Sequence, residues 1–407
     1  MRKKAILITD FRLPMILAAI QLKKDNRNAD IIIHSTNIKL NDFGNNSSYL
    51  INYLKYAILN ILFNIKTING HCSIDNELLG INSSLVSITN DSQASKSKYP
   101  NHYKNLSKIA EAAIFTGKYI VEKKYDCIYL FNGRLASTEP ILGKIKNKNI
   151  DIMYYEYGTT PYHFTLTNKK IHDVNEKGMD IIKLYKNKSL LPITFNSNDN
   201  AINNANNKLN NIFSKTYTEL PEKNYDYCLL LSSPHEFMHL SSDRPLTNVD
   251  ITLKVIEKYK GKIGAVRSHP NQLTDPSWRQ ESKTISDYCQ KSNIDFFPPD
   301  SKINTHKLIE KSKLAITSGS SIAIDAVLLG KDVEFHDNCI YKILIEYANK
   351  VSSRNNLSNT VLELFLLDAY IWQYPLHPFI GLIQKIFGRL DTHFTKPPAI
   401  GKMKKYI

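Results

Sequence analysis

The sequence has no run approaching the ~20 consecutive apolar residues that a membrane-spanning helix needs. It has no two cysteines at C-x-x-C spacing, no H-E-x-x-H, and only 15 glycines in 407 residues. The first absence, with hydrophobic residues at 42% and charged residues at 22%, excludes a membrane bundle and a disordered chain alike. The second leaves the five cysteines (Cys72, Cys127, Cys228, Cys289, Cys339) as scattered free thiols suited to a reducing compartment. No paired Cys/His spacing suggests a metal site, so no metal and no cofactor are expected. The N-terminus, MRKKAILITDFRLPMILAAI, has a basic start and an apolar stretch. Asp10, Arg12 and Pro14 interrupt it and no small-residue cleavage site follows, so KAILITD reads as a first strand rather than a signal peptide.

What is abundant is positive charge. The formal net charge is +15, from 53 Lys and Arg against 38 Asp and Glu. Such a balance suits nucleic acid, an anionic membrane or an anionic substrate, although Lys, Asn and Ile enrichment throughout the chain accounts for part of it. No nucleic-acid-binding motif is found, and nucleic acid is not expected as a partner. The C-terminal HPFIGLIQKIFGRLDTHFTKPPAIGKMKKYI mixes bulky apolar residues with Lys385, Arg389, Lys396, Lys402, Lys404 and Lys405. It reads either as a segment docking on an anionic membrane surface or as a last helix with a solvated tail.

Two similar halves follow from the alternation of apolar strand-like and helical runs. In the first, strands at 4–9, 30–35, 126–132 and 150–156 alternate with helices at 12–24, 47–65, 104–124 and near 137–147. The Asn-rich stretch 196–224 reads as a connection. In the second, strands at 225–233, 262–270, 294–300, 313–319 and 332–336 alternate with helices at 247–260, 278–292, 304–311 and 321–329. The expected class is α/β, with two Rossmann-like domains whose mostly parallel sheets face a central cleft, the glycosyltransferase B architecture. The expected domains are 1–195 on the acceptor side, a linker at 196–224, a nucleotide-sugar-binding domain at 225–345, and C-terminal helices with a basic tail at 346–407.

Ligands of open α/β sheets bind beyond the carboxyl ends of the strands. In the second half those ends carry Ser232-Ser233, Arg267-Ser268-His269-Pro270, Pro298-Pro299-Asp300-Ser301 and Ser318-Gly319-Ser320-Ser321. In the first half they carry Asp10, Asn132-Gly133-Arg134 and Glu156-Tyr157-Gly158. Hydroxyls and basic groups on one side and acids on the other suit a phosphate-bearing donor and a hydroxyl acceptor. Ser318 to Ser321 sit where a strand meets a helix: small residues there admit a phosphate, or one serine simply caps the helix. Asp325, one turn after Ser321, is placed to accept ribose hydroxyls or to sit as an acid in the first turns of a helix.

The run RSHPN, then FFPPDS, then ITSGSSIAIDAVLLGKDV followed by Tyr341, resembles bacterial capsule and O-antigen polysaccharide glycosyltransferases, the capsule-synthesis family that includes 3-deoxy-manno-octulosonic acid (Kdo) transferases. FNGRLAS, YYEYGTTP and LLLSSPHEF fall in the order and spacing of that family, and the resemblance covers roughly residues 126–341. Bacterial sialyltransferases of the same class share a related logic. There a His-Pro motif, matched by His269-Pro270, and a paired-serine motif, matched by Ser320-Ser321, hold a CMP donor. Their acidic pair before glycine is reduced here to the single acid of Glu156-Tyr157-Gly158.

The resemblance implies roles. His269, with Arg267, stabilises the departing nucleotide. Glu156, at a strand end, reads as the general base or as an acid in an N-cap or ion pair, with Asp10 its rival as base. From their place at strand ends, Asn132 and Arg134, with Tyr157, read as binding an anionic or polyhydroxylated acceptor, and Arg134 equally as a surface salt bridge. His235 and Glu236 contact the donor's base or sugar, and Tyr341 stacks on the base or closes the core. His163, His172 and Asp173 lie in a stretch read as a loop over the acceptor. The implied activity is metal-independent transfer of a sugar from a nucleotide-activated donor, CMP-Kdo or another CMP-ulosonic acid, to a surface polysaccharide or lipid-linked oligosaccharide. The expected location is cytoplasmic, with peripheral membrane contact. A UDP- or GDP-hexose transferase, a nucleotide-sugar 2-epimerase and a silent glycan-binding subunit are the alternatives.

Overall fold

The computed structural model describes residues 2–9, 11–40, 49–72, 80–89, 91, 94–157, 162–171, 173–187, 218–233, 247–370 and 372–383. They form two units.

The first unit holds described residues up to 171, Asp91 excepted, together with 372–383. Its strands are β1 (Lys4–Leu7), β2 (Asp30–His34), β3 (Lys66–Ile68), β4 (Cys127–Phe131), β5 (Asp151–Tyr157), β6 (His163–Thr167) and β12 (Gln373–Pro375), in the order β12-β6-β5-β4-β1-β2-β3. The five strands from β5 to β3 are parallel. β6 and β12 extend the sheet antiparallel. The helices are α1 (Leu13–Asp25), α2 (Ser35–Lys39), α3 (Tyr49–Phe63), α4 (Ile81–Thr89), α5 (Pro100–Glu122) and α6 (Glu139–Ile145). Period-two alternation sends each strand's side chains to opposite faces. Ile6, Ile8, Ile31, Ile33, Tyr129 and Phe131 join one core, while Ala5, Leu7, Ile32, Ile128 and Leu130 join the other. A sheet covered on both faces needs continuous apolar strands, and these are.

The second unit is built from 173–187, 218–233 and 247–370. Helix α7 (Val174–Lys186) begins at Asp173, whose carboxylate accepts from the Glu176 N–H at 3.0 Å. Five parallel strands follow: β7 (Tyr225–Leu230), β8 (Gly264–Arg267), β9 (Asp295–Phe297), β10 (Ser312–Thr317) and β11 (Asp332–Phe335), in the order β11-β10-β7-β8-β9. The helices are α8 (Asn248–Lys258), α9 (Trp278–Lys291), α10 (Thr305–Glu310), α11 (Ile322–Leu328), α12 (Ile340–Val351) and α13 (Leu357–Tyr370). Tyr227, Leu229, Leu231 and Ile316 pack on one face, and Cys228, Leu230 and Ala315 on the other.

Both units are therefore Rossmann-like layers in the mixed α/β class that the alternation implies, and their parallel strands share one topology. Numbered within each unit, the order is 3-2-1-4-5, whose reversal point lies between the first and fourth strands. The stretch read as a loop over the acceptor is instead strand β6 followed by the cap of α7. Phe164 and Leu166 alternate with polar neighbours and pair against Tyr157 and Tyr155 of β5. Among the described residues, no helix is long and apolar enough to cross a membrane.

Candidate functional site

In the second unit the reversal point lies between the carboxyl ends of β7 and β10. β7 runs out into Ser232 and Ser233, and β10 into Ser318, Gly319 and Ser320. The strands flanking this pair add Ser268 and His269 after β8 and His336 after β11. The ladder continues past the strands, since the Leu231 N–H donates to the Arg267 carbonyl at 2.9 Å and the His336 N–H to that of Thr317 at 3.0 Å. The sequence therefore gathers these polar residues at one end of a single sheet.

Several polar atoms here are buried and lack a protein partner: the hydroxyls of Ser232, Ser268 and Ser318, the Arg267 Nε and the His336 Nε2. A buried hydroxyl without a partner costs about 1–3 kcal/mol. The three follow adjacent strands, whose backbones run ~5 Å apart; Ser268 and Ser318 continue the face of Val266 and Ile316, and Ser232 continues the face of Cys228 and Leu230. Gly319 lets the chain turn from β10 towards α11: its φ of +119° belongs to glycine, and a Cβ there would come within 3.2 Å of the Cys339 Cβ. The Ser320 hydroxyl lies 3.4 Å from the Ile322 N–H, a long contact for a cap, and Ser321 makes no side-chain cap bond.

Arg267 is 4% exposed. Its guanidinium donates to the carbonyls of Phe297, Pro298 and Ser301. It therefore pins the turn after β9, and burial pulls its pKa down to about 10, against an opposing contribution from Asp300. The site thus has a buried cation whose bonds go to neutral acceptors.

His269 begins the 3-10 turn Pro270–Thr274, its Nδ1 accepting the Asn271 N–H at 3.1 Å. That bond places the ring proton of neutral His269 on Nε2 and makes Nε2 a donor. Asp325 is buried and its Oδ2 lies 3.1 Å from His306 Nε2, so its carboxylate is engaged with α10. Tyr341 packs against Phe365, ring centroids 6.0 Å apart, within the helical core. His235 and Glu236 lie outside the described residues.

In the first unit, Glu156 sits near the end of β5 and Asn132 just past β4. The Asn132 amide donates to Glu156 Oε2, and its own oxygen accepts the Arg134 N–H at 3.2 Å. Asn132 and Gly133 have φ of +57° and +92°, and a Cβ at Gly133 would lie 2.8 Å from the Tyr154 ring. This Asn-Gly turn aims the amide at the carboxylate. Burial pushes the Glu156 pKa upward, opposed by the Asn132 and Tyr157 bonds and by the charges of Arg12 and Arg134. Arg12 lies 4.8 Å over the Tyr157 ring, and the Arg134 guanidinium donates to the Ser83 hydroxyl at 2.5 Å. The cluster Arg12, Asn132, Arg134, Glu156 and Tyr157 thus occupies the carboxyl ends of β1, β4 and β5. Asp10 and His172 lie outside the described residues. His163 is on β6, where burial pulls its pKa down.

Two of these residues were not anticipated. Arg12 carried no local signal, since its partner Tyr157 is 145 positions away. His336 did: it ends the run DVEFH, as His269 ends its own strand. Among the described residues no group of three His, Cys, Asp or Glu side chains is placed to hold a metal ion.

No family model and no curated protein matches the chain. Similar solved structures include KpsC of Thermosulfurimonas dismutans, a beta Kdo 2,7 transferase, at 12% identity over 65% of this chain and 83% of that one, TM-score 0.38. UDP-GlcNAc 2-epimerases are also found. That of Methanocaldococcus jannaschii, in complex with UDP-GlcNAc and UDP, is 14% identical over 96% of this chain and all of that one, TM-score 0.29. That of Neisseria meningitidis is 15% identical over 96% and 99%, TM-score 0.26. At these values the likeness assigns no role to any residue.

Proposed function

We propose that this chain is a glycosyltransferase that moves a sugar from a nucleotide-activated donor to an acceptor hydroxyl. The observation that carries this reading is the set of buried serine hydroxyls without a protein partner on the strand ends around the reversal point of the second unit, beside the buried Arg267. Ser268 and Ser318, on one face either side of β7, offer neutral donors to a bound nucleotide, and His269 Nε2–H supplies another. In the first unit Glu156 is the general base. It accepts the acceptor hydroxyl's proton as the new C–O bond forms. The sugar–phosphate bond breaks, its electron pair leaves with the nucleotide, and the hydroxyls and His269 stabilise that charge. A pKa raised by burial brings the carboxylate's basicity closer to that needed for this task.

Within this reading the donor is a CMP-activated ulosonic acid, on the strength of the His269-Pro270 and Ser320-Ser321 motifs. The acceptor is a bacterial surface polysaccharide or lipid-linked oligosaccharide, no metal is required, and the reaction takes place on the cytoplasmic side. Thermal-shift titration with CMP, UDP and GDP tests the donor: stabilisation by UDP or GDP alone overturns the CMP assignment. Incubation with a donor panel tests the reaction. Slow release of free sugar fits a transferase, interconversion of donor sugars without release fits a 2-epimerase, and neither fits a silent binding subunit.

A further inference from the structure

Behind the His269 turn lies a group of polar side chains that the proposed chemistry does not use. Gln272, on that turn, is 1% exposed, and its Nε2 donates to Glu281 Oε2 on α9 at 3.1 Å. Asn248, the first residue of α8, also bonds the Glu281 carboxylate. The Asn248 Nδ2 further donates to the Ser232 carbonyl at the end of β7, at 3.3 Å. One carboxylate therefore ties together the turn that follows His269 and the strand end that carries Ser232. We infer that Glu281, as a carboxylate, is the positioning residue that holds the His269 turn and the Ser232 strand end in register for the nucleotide. The inference rests on the donor-site reading above.

The chemistry of the pair of bonds gives the dependence. An ionised carboxylate accepts from both amides. A protonated one keeps one oxygen as acceptor and turns the other into a donor, which faces an N–H. The groups facing Glu281 from α8 and from the turn, Asn248 and Gln272, are neutral amides. The charge acting on it is Asp275, 1% exposed and held by the Ser277 N–H at 2.8 Å and the Ser277 hydroxyl at 2.6 Å. Burial, with Asp275 adding to it and Asn248 opposing, places the Glu281 pKa at about 7. The network is complete above that pH and half-made below it.

Calorimetric titration of the full-length protein with CMP, UDP and GDP between pH 6 and 8.5 tests the inference, using the nucleotide that binds. Glu281→Gln keeps the shape and mimics the protonated acid. Its affinity is expected to be about tenfold weaker than the unmodified protein's at pH 8.5 and to converge with it at pH 6. Gln272→Ala breaks the same bond from the other side and should flatten the same pH dependence. Affinities for Glu281→Gln and the unmodified protein that agree at every pH overturn the inference. A loss in Glu281→Gln that is equal at every pH and tracks a lowered melting temperature marks a merely structural role, and overturns it too. If the unmodified protein binds none of the three nucleotides at any pH, the donor-site reading fails first, and that result is distinct from the others.

Discussion

Replacing Glu156 by glutamine separates chemistry from binding. The Asn132 oxygen is held by the Arg134 N–H at 3.2 Å, so its NH2 must face residue 156. A glutamine there presents its oxygen to Asn132 and its NH2 to the Tyr157 N–H, and loses the 3.2 Å bond that Glu156 Oε1 accepts. A hydrogen bond to a charged acceptor is worth about 1.5–3 kcal/mol. Against that stands the desolvation of the charge. Because burial raises the folded pKa above 4.5, the folded state favours the protonated acid, and stability falls as pH rises from 4.5 through the folded value. The amide removes this penalty, so the melting temperature at pH 8 should stay close to that of the parent. Turnover should fall by ~10²–10⁴-fold, about 3–5 kcal/mol of barrier, because the amide takes no proton. Nucleotide affinity, set in the other unit, should not move. A product assay with calorimetry and melting curves covers all three readouts. Turnover within threefold of the parent would refute Glu156 as the base.

Three further outcomes are expected. Arg267→Met removes the guanidinium shared by three half-buried carbonyls; Phe297 and Pro298 keep the Ser268 and Ser301 N–H groups while Ser301 loses its donor, so the variant should cost about 1–3 kcal/mol in denaturant unfolding; an unchanged midpoint would show that the turn after β9 holds itself. Burial pulls the pKa of His34, His163 and His336 below 6.5, so their contribution to stability is present above pH 6.5 and lost as pH falls through the folded values. Melting temperature should drop from pH 7 to pH 5.5, and His34→Gln should shrink the drop. His34 Nδ1 accepts the Thr36 N–H at 3.2 Å, a bond that protonation abolishes. Gly133→Ala forces φ near +92° on alanine and drives its Cβ to 2.8 Å from Tyr154, so it should destabilise by about 1–3 kcal/mol and lower turnover by misaiming Asn132. A fully active, fully stable variant would contradict the role given to that turn.

Much of the fold was legible because fully buried parallel strands write themselves as continuous apolar runs. KAIL, DIIIH, CIYLF, YDYCLL and SKLAIT were all readable in that way. The strand ends followed, and with them Glu156, Asn132, His269 and the serines. Strand β12, only three residues long and pairing with β6 from the far end of the chain, left no such mark. Strand β6 did alternate, but the neighbouring histidines and lysines gave it the look of a loop. Partnerships were the least legible level. Asp325 spaced itself from Ser321 as a ligand-facing acid should, yet its carboxylate meets His306, nineteen positions earlier, which no local pattern announces. The bond from Asn132 to Glu156 joins two residues that were each visible, through a turn whose left-handed backbone was not.

The antiparallel strand β12 has a consequence for biosynthesis. The first unit's sheet reaches β6 by Thr167, but its last strand and the core residues Leu376 and Ile380 emerge from the ribosome roughly two hundred residues later. At ~5–20 residues per second, the nascent chain carries β6 as an open edge for about 10–40 s. An exposed edge is a template for wrong pairing. Pro375, opposite His163, then closes the sheet with a residue that has no N–H to offer a further strand. A chain released at residue 371 would keep that edge open permanently. It should be recovered in aggregates even though every strand of the second unit has been synthesised, which makes the C-terminal segment a completion signal for the beginning of the protein.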